Sequence, residues 1–232
     1  MRKAYFLLPA VLFLSLACAS PEAVKEKLIR ALPQTKIGEV TPSEVKGLYA
    51  VNAGPNVFYA DASGKYLVLG SILDLASGED LTAKRRLEAG KEVFASLPSE
   101  LAVKVGAGSP KAALFYDPLC PYCRQALDYL LQEKLAFQVF LLPLHEGSAD
   151  KAGAILCSKD PAIALAAPDQ AEASAPECRK QTAERVEKLR SLARSLAVQG
   201  TPTLLLPTGE RIEGFNPPAY QEVFHKAQEV AK

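Results

Sequence analysis

Residues Leu114 to Glu133 read LFYDPLCPYCRQALDYLLQE and join an apolar segment to a helical one. The apolar side chains from Ala112 to Tyr116 predict a short buried strand. After the two cysteines, apolar residues return at steps of three and four, which is helical spacing: Ala126, Leu127, Leu130 and Leu131. Cys120 therefore lies where the strand turns into the helix. Pro121 follows at a first-turn position, where a missing N–H costs nothing.

This position gives the first cysteine a chemical advantage. The first turn of a helix presents unpaired N–H groups and the positive end of the helix dipole, so it stabilises a thiolate. We therefore expect Cys120 to be the exposed, attacking thiol. Cys123, one turn further into the helix, would be the resolving thiol. Two cysteines so placed can close and reopen a disulfide at little conformational cost, which indicates a redox-active dithiol.

Cys-x-x-Cys is also half of many zinc sites, and these need a second pair of ligands at similarly close spacing. The remaining candidates are Cys157 and Cys178, separated by 20 residues, and the two histidines, His145 and His225. This spacing disfavours zinc, so we expect no metal. A purely structural disulfide between Cys120 and Cys123 is disfavoured too, because so short a loop restrains little of the unfolded chain.

Residues 1–19 predict a signal peptide. Arg2 and Lys3 precede an apolar run that is too short to span a membrane. Ala17-Cys18-Ala19 fits a cleavage site, which would leave Ser20 as the first mature residue. The alternative is a lipid anchor through Cys18, and the sequence before it departs from the usual lipid-attachment pattern. Both interpretations predict an exported chain.

Export would place the cysteines in an oxidising compartment. Five cysteines become four if Cys18 is removed, and an even number suits two disulfides. The simplest use of Cys157 and Cys178 is then a structural disulfide, worth on the order of 3 kcal/mol for a loop of this length. The formal net charge of +1 becomes about −1 when Arg2 and Lys3 are lost. A near-neutral chain without a basic cluster disfavours a nucleic-acid partner.

The region before the dithiol predicts a small sheet and a linker. A helix opened by Ser20 and Pro21 precedes four short predicted strands, at 36–41, 46–52, 56–61 and 65–75. So small a domain has a poor core, and its strand edges could pair with a second copy or pack on its own chain. Residues 77–99 predict a charged linker helix, in which Gly90 costs roughly 1 kcal/mol relative to alanine.

The whole ordered set of motifs resembles the periplasmic disulfide isomerases of the DsbC/DsbG type, which have a thioredoxin fold. The set comprises the N-terminal meander, the linker helix, FYDPLCPYC at 115–123, an insert with two cysteines, GTPT at 200–203 and GFNPP at 214–218. It covers nearly all of the predicted mature chain.

The resemblance implies an α/β (α+β) fold class and four regions. A signal peptide (1–19) would precede a small cystatin-like α+β dimerisation domain (20–76) and a linker helix (77–99). The last region would be a thioredoxin-like catalytic domain (100–232) with a helical insertion at about 149–198.

The resemblance also implies roles for individual residues. Cys120 would be the nucleophile and Cys123 the resolving thiol, with Pro121 and Tyr122 tuning the pair. Thr201 and Pro202 would form a cis-proline loop that faces the dithiol and binds substrate, and Cys157 and Cys178 would form the structural disulfide. Proteins of the DsbC type usually carry Gly-Tyr between the thiols, whereas Pro-Tyr is the DsbG pattern.

The implied activity is that of a thiol:disulfide interchange protein, a periplasmic isomerase or reductase of non-native disulfides with chaperone activity. Its partners would be misfolded or mis-oxidised exported proteins, a second copy bound through residues 20–76, and a membrane reductase of the DsbD type as electron donor. No cofactor is implied. The alternatives are a DsbG-like reductase of sulfenylated single cysteines, a monomeric dithiol oxidase, and a holdase chaperone whose dithiol is incidental.

Overall fold

The computed structural model describes residues 19–167 and 176–230, which form two β-sheets joined by a helix. Residues 1–18, which hold most of the predicted signal peptide and Cys18, lie outside this part of the chain. So do residues 168–175 of the predicted helical insertion. No helix within the described residues is long and apolar enough to cross a membrane.

The first sheet is antiparallel, and helix α1 (Pro21–Ala31) packs on it. Ser20 caps α1 as predicted, because its hydroxyl accepts a hydrogen bond from the N–H of Ala23 at 3.2 Å. Val24 and Leu28 are its buried contacts with the sheet. The strands lie side by side in chain order: β1 (Val40–Pro42), β2 (Leu48–Ala53), β3 (Asn56–Asp61) and β4 (Leu67–Val68).

The fourth strand is much shorter than predicted. The sequence predicts a strand over 65–75, but only Leu67 and Val68 pair with β3, and beyond them a single bridge joins Leu73 to Asp80. After Val68 the chain leaves β3, and the Ile72 N–H donates instead to the Thr82 hydroxyl at 2.8 Å. The apolar residues that suggested a longer strand are solvent-exposed: Leu69 is 79% exposed and Leu75 is 93% exposed.

Helix α2 (Leu81–Ala95) occupies most of the predicted linker, and its first half is fixed to the first sheet. The hydroxyls of Tyr59 in β3 and Thr82 in α2 share a buried hydrogen bond of 2.5 Å. Arg85 reaches the same sheet, where it forms an ion pair with Glu44 at 2.8 Å. Thr82 and Arg85 thus hold this half of the helix against β3, β1 and the loop after β1.

The second half of α2 contacts the second sheet through two glycines. A Cβ atom added at Gly90 would overlap the carbonyl of Gly209, which lies in the turn after the strand Thr203–Leu205. A Cβ atom added at Gly209, where φ is +91°, would overlap the carbonyl of Leu87. The glycine that weakens the helix by roughly 1 kcal/mol therefore permits this close backbone contact.

The second sheet is mixed, with the strand order β5-β7-β6-β8-β9. The strands are β5 (Val103–Val105), β6 (Ala113–Tyr116), β7 (Phe137–Leu141), β8 (Thr203–Leu205) and β9 (Arg211–Glu213). β6 and β7 run parallel and the other neighbouring strands are antiparallel. Every residue of β6 and β7 is buried, as expected of central parallel strands.

Helices complete the second unit. α3 (Pro121–Gln132) makes the crossover that the parallel pair β6 and β7 requires. The insertion between β7 and β8 holds α4 (Ser148–Leu156), α5 (Pro161–Ala166) and α6 (Pro176–Ser195), and α7 (Pro217–Val230) follows β9. The turn between β6 and α3 thus lies between two buried elements, and each large side chain buried in them contributes roughly 1.5–3 kcal/mol.

Candidate active site

Cys120 lies at the mouth of α3. Its backbone is extended, with φ −83° and ψ 118°, and Pro121 is the first residue of the helix. The Cys120 carbonyl accepts the hydrogen bond of the Arg124 N–H at 3.2 Å, so Cys120 is the N-cap residue. The sequence predicted this placement from the strand, the proline and the helical spacing.

The expectation that Cys120 is exposed is wrong. Its side chain is 6% exposed, and its Sγ lies 3.6 Å from the carbonyl oxygen of Thr201. β8 pairs antiparallel with β6, with Thr203 opposite Phe115, so the loop before β8 reaches the end of β6 from which the dithiol turn leaves. The Thr201–Pro202 peptide bond is cis, and this loop covers the sulfur.

Cys123 has a different environment, although it lies only one turn away. It is fully buried, and its Sγ accepts a hydrogen bond from the backbone N–H of Asp117 at 3.4 Å. Burial raises the pKa of the Cys123 thiol to about 12, whereas the hydrogen bonds from Asp117 and from the Thr201 side chain act to lower it. Both cysteines are free thiols and both are buried, Cys120 with 6% of its surface exposed and Cys123 with none.

Asp117 is a functional candidate that the sequence analysis did not identify. Its carboxylate is fully buried and accepts five hydrogen bonds. One oxygen accepts from the Leu119 N–H at 2.8 Å and the Ser148 hydroxyl at 2.6 Å. The other accepts from the Leu144 N–H at 2.6 Å, the His145 N–H at 3.0 Å and the His145 Nδ1 at 2.8 Å. Burial alone would raise the pKa of Asp117, but these hydrogen bonds outweigh it and lower the pKa below its ordinary value.

A sequence signal for Asp117 did exist. A carboxylate that directly follows a buried strand and precedes a cysteine by three residues is unusual, because a buried charge needs several partners. Apart from Leu119, its partners lie 27 to 31 residues further along the chain, in the loop after β7 and at the first residue of α4. Two of those donors are backbone N–H groups, which every non-proline residue carries, so the residue types do not identify them.

Three large side chains around the dithiol are exposed, and we call them the apolar rim. They are Leu119 at 45%, Tyr122 at 61% and Leu144 at 51% exposure. Leu119 and Tyr122 flank Cys120 in sequence, and Leu144 is held close by its N–H contact with Asp117. The rim presents apolar surface beside a thiol that is itself almost covered.

The other two cysteines lie elsewhere. Cys157 ends α4 and Cys178 lies in α6, and the two are joined by a disulfide with a Cα–Cα distance of 6.0 Å. The hydroxyl of Thr182 is the polar neighbour of both sulfurs, at 3.1 Å from Cys157 and 4.0 Å from Cys178. No cluster of three or more His, Cys, Asp or Glu residues that could hold a metal ion occurs in the described ranges.

Comparison with known families covers both parts of the chain. Residues 15–83 match the family described as the disulfide bond isomerase protein N-terminal domain. Residues 97–228 match the family described as the thioredoxin-like domain. The predicted α/β (α+β) fold class with a thioredoxin-like domain is therefore confirmed.

Three curated relatives span different shares of the chain. A probable thiol:disulfide interchange protein DsbC of Bordetella avium is 33% identical over 210 residues, which is 85% of this chain and 72% of the relative. The thiol:disulfide interchange protein DsbC of Escherichia coli K12 is 24% identical over 97% of this chain and 95% of its own length. The thiol:disulfide interchange protein DsbG of Pseudomonas aeruginosa is 33% identical over 49% of this chain and 48% of its own length.

Proposed function

Because this chain belongs to the DsbC/DsbG family of thiol:disulfide interchange proteins, we propose that it rearranges or reduces non-native disulfides in exported proteins through Cys120 and Cys123. The observation that carries the proposal is the position of the Cys120 sulfur. It lies at the N-terminus of α3 and 3.6 Å from the carbonyl of the Thr201–Pro202 loop. Two thiols of unequal burial, one at a helix mouth, are suited to successive attack.

The cycle follows from thiol–disulfide exchange. The Cys120 thiolate attacks one sulfur of a client disulfide, so a Cys120–client bond forms and the other client sulfur leaves as a thiolate. In isomerisation, a second client thiolate attacks the client sulfur of this mixed disulfide and Cys120 leaves unchanged. In reduction, the Cys123 thiolate attacks the Cys120 sulfur, the Cys120–client bond breaks and a Cys120–Cys123 disulfide forms. The client sulfur leaves as a second thiolate, so the client has gained two electrons and the dithiol has lost them.

Client binding is assigned to the surface around the sulfur. The backbone of Thr201 and Pro202 would run beside an extended client segment, and the apolar rim would contact the side chains of an unfolded chain. Such contacts need no particular client sequence, because apolar burial is non-directional. They also supply the surface for chaperone activity.

We assign dimerisation to residues 20–76. β4 has an unpaired edge, and the residues that follow it carry exposed leucines: Leu69 at 79%, Leu73 at 58% and Leu75 at 93% exposure. A second copy would cover this apolar edge. We expect light scattering to give the mass of a dimer for the wild type and a monomer-shifted equilibrium for Leu69→Lys. Leu144→Lys, on the apolar rim, is the matched control. A monomeric wild type would remove this assignment and favour a dithiol oxidase.

We further propose that the protein works in the periplasm and receives electrons from a separate reductase. Repeated isomerisation needs a reduced dithiol, whereas an oxidising compartment removes its electrons. A membrane reductase of the DsbD type would restore them. Mass spectrometry of the mature N-terminus separates cleavage before Ser20 from a lipid anchor on Cys18.

The Pro121-Tyr122 pair favours a second candidate, the reduction of single oxidised cysteines. The Cys120 thiolate would attack the sulfur of a client sulfenic acid and release water after protonation, leaving a mixed disulfide. Cys123 would then resolve it and return the client thiol. A client with one sulfenylated cysteine and no disulfide tests this reaction without interference from isomerisation.

Refolding of scrambled ribonuclease in a glutathione buffer tests the main proposal. The wild type should restore ribonuclease activity, and Cys120→Ser should reduce the rate to that of the buffer alone, because serine is no nucleophile towards disulfides. Ser109→Ala, in a surface turn before β6, is the control for substitution itself. If Cys120→Ser retained the wild-type rate, the dithiol mechanism would be wrong and a holdase chaperone would explain the activity.

A further inference from the structure

The cycle described above gives no role to the buried carboxylate of Asp117, although its hydrogen bonds fix the turn that carries the dithiol. We propose that Asp117 is a positioning residue for the resolving step, in which it holds the turn 117–120 so that its own N–H group stays directed at the Cys123 sulfur. This inference rests on the proposed function of the dithiol. Asp117 would act on Cys123 through its own backbone, because its side chain forms no hydrogen bond with either sulfur.

The carboxylate joins the dithiol turn to the segment that follows β7. Of its five donors, the Leu119 N–H belongs to the dithiol turn, and the other four belong to Leu144 and His145 in the loop after β7 and to Ser148, the first residue of α4. Burying a carboxylate is costly unless its lone pairs are used, and here all donors lie within 3.0 Å. An apolar residue at this position would leave three backbone N–H groups without their acceptor.

The backbone of Asp117 contacts both cysteines. Its carbonyl accepts a hydrogen bond from the Cys120 N–H at 3.1 Å, and its N–H donates to the Cys123 Sγ at 3.4 Å. Residue 117 is therefore held at three points, by its side chain, its carbonyl and its N–H. A change at the carboxylate reaches the sulfurs through this short stretch of backbone.

The N–H contact matters most when Cys123 carries a negative charge. Cys123 is a thiolate when it attacks the mixed disulfide, and again when a reductant opens the Cys120–Cys123 disulfide at Cys120 and Cys123 leaves. Burial opposes that charge, and an N–H donor offsets the opposition. The first step, attack by Cys120 on a client, places no charge on Cys123. Loss of the Asp117 contacts should therefore slow the second step more than the first.

Asp117→Asn loosens the turn in a defined way. The amide has one oxygen and one NH₂ group, and its oxygen is best used towards the N–H groups of Leu144 and His145. The NH₂ group then faces the Leu119 N–H and the Ser148 hydroxyl. The hydroxyl can rotate and accept, whereas the Leu119 N–H cannot, so the dithiol turn loses its anchor.

Reaction of the reduced protein with oxidised glutathione separates the two steps. Acid quenching followed by mass spectrometry counts the free dithiol, the mixed disulfide and the internal disulfide over time. For Asp117→Asn we expect formation of the mixed disulfide within about twofold of wild type, and its conversion to the internal disulfide about tenfold slower, the size of a lost hydrogen bond to a charged group. Ser148→Ala, which removes one donor, should slow conversion about threefold.

Asp128→Asn is the matched control. It removes a carboxylate from the same helix as the dithiol, where Asp128 pairs with Arg124 at the surface, and it should leave both steps unchanged. Equal slowing of both steps by Asp117→Asn, or no slowing of either, would overturn the proposal. If that variant does not fold by circular dichroism, Ser148→Ala decides by the same comparison. A wild type that forms no mixed disulfide at Cys120 would instead overturn the proposed function.

Discussion

The described part of the chain carries two cysteine pairs, and they differ in spacing, redox state and surroundings. Cys120 and Cys123 lie on one helical turn, remain free thiols and contact backbone groups of the Thr201 loop and Asp117. Cys157 and Cys178 lie 21 positions apart on two helices and form a disulfide. In the first pair, Cys123 has a backbone N–H donor that favours a thiolate, whereas the sulfurs of the second pair lie beside the Thr182 hydroxyl.

The difference shows that the spacing and the surroundings of two cysteines determine whether they exchange electrons or stabilise the fold. A short loop gains little stability from a disulfide, so a pair three positions apart is free to exchange electrons. A loop of about twenty residues gains roughly 3 kcal/mol, so reopening it would cost the fold that energy. Measurements of redox equilibrium, stability and activity test this contrast, from the largest expected effect to the smallest.

The largest expected effect is a difference in redox equilibrium. Protein disulfide isomerase has a reduction potential near −180 mV, whereas structural disulfides lie below about −300 mV. For a dithiol with a potential like that of the isomerase, we expect the equilibrium constants of the two pairs with glutathione to differ by about 10,000-fold, which corresponds to about 5.6 kcal/mol. Alkylation and mass spectrometry across a series of glutathione ratios measure both pairs in one sample. Coincident transitions of the two pairs would contradict the contrast.

The next effect concerns stability. The double substitution Cys157→Ser and Cys178→Ser should lower the free energy of unfolding by about 3 kcal/mol, because the unfolded chain loses its cross-link. Urea denaturation measures this. The matched control, Cys120→Ser with Cys123→Ser, should lower it by about 1 kcal/mol or less under reducing conditions.

The same stability variant also separates the pairs by function. Under conditions in which the Cys157→Ser, Cys178→Ser variant is folded, this variant should refold scrambled ribonuclease at a rate close to that of the wild type. Loss of this activity in folded protein would show that the Cys157–Cys178 disulfide takes part in exchange and would break the comparison.

The smallest effect is a dependence of stability on alkaline pH. Burial raises the pKa of Cys123 from 9.0 to about 12, so the folded reduced protein holds this proton more tightly than the unfolded chain does. The stability gained is complete below about pH 9 and is lost as the pH rises through about 12. At pH 10 the free energy of unfolding should have fallen by about 1 kcal/mol through this thiol.

Comparison with Cys123→Ala isolates that contribution, because every other titratable side chain is present in both proteins. The difference in unfolding free energy between wild type and variant should therefore shrink from pH 8 to pH 10. An unchanged difference would mean that Cys123 is more accessible in solution than its full burial indicates.

Local patterns predicted much of the dithiol from the sequence. A buried strand, a proline at the first helical position and apolar residues at helical steps place Cys120 at the mouth of α3, because all three depend on neighbours in sequence. The burial of Cys120 could not be read this way. It depends on Thr201, which lies 81 positions away and reaches the sulfur through the pairing of β8 with β6.

Two other features escaped prediction for related reasons. The role of Asp117 depends on backbone N–H groups of a distant loop, which every non-proline residue carries. β4 ends at Val68 because the chain turns there towards Thr82 of α2, and the apolar residues after it were predicted as strand although they are exposed and unpaired with β3. Periodicity reports that a segment has an apolar face and leaves open what covers it.

The contact between Gly90 of α2 and Gly209 affects the distance between the dithiol and the edge of the first sheet. A helix of 15 residues is about 22 Å long, and here one half is bound to each sheet. Gly90 and Gly209 set how closely the second sheet approaches that helix, and therefore where the sulfurs stand relative to the edge at which a second copy would dock. The largest client that fits between the two dithiols of a dimer would then be set partly at residue 90, a position that takes no part in the chemistry.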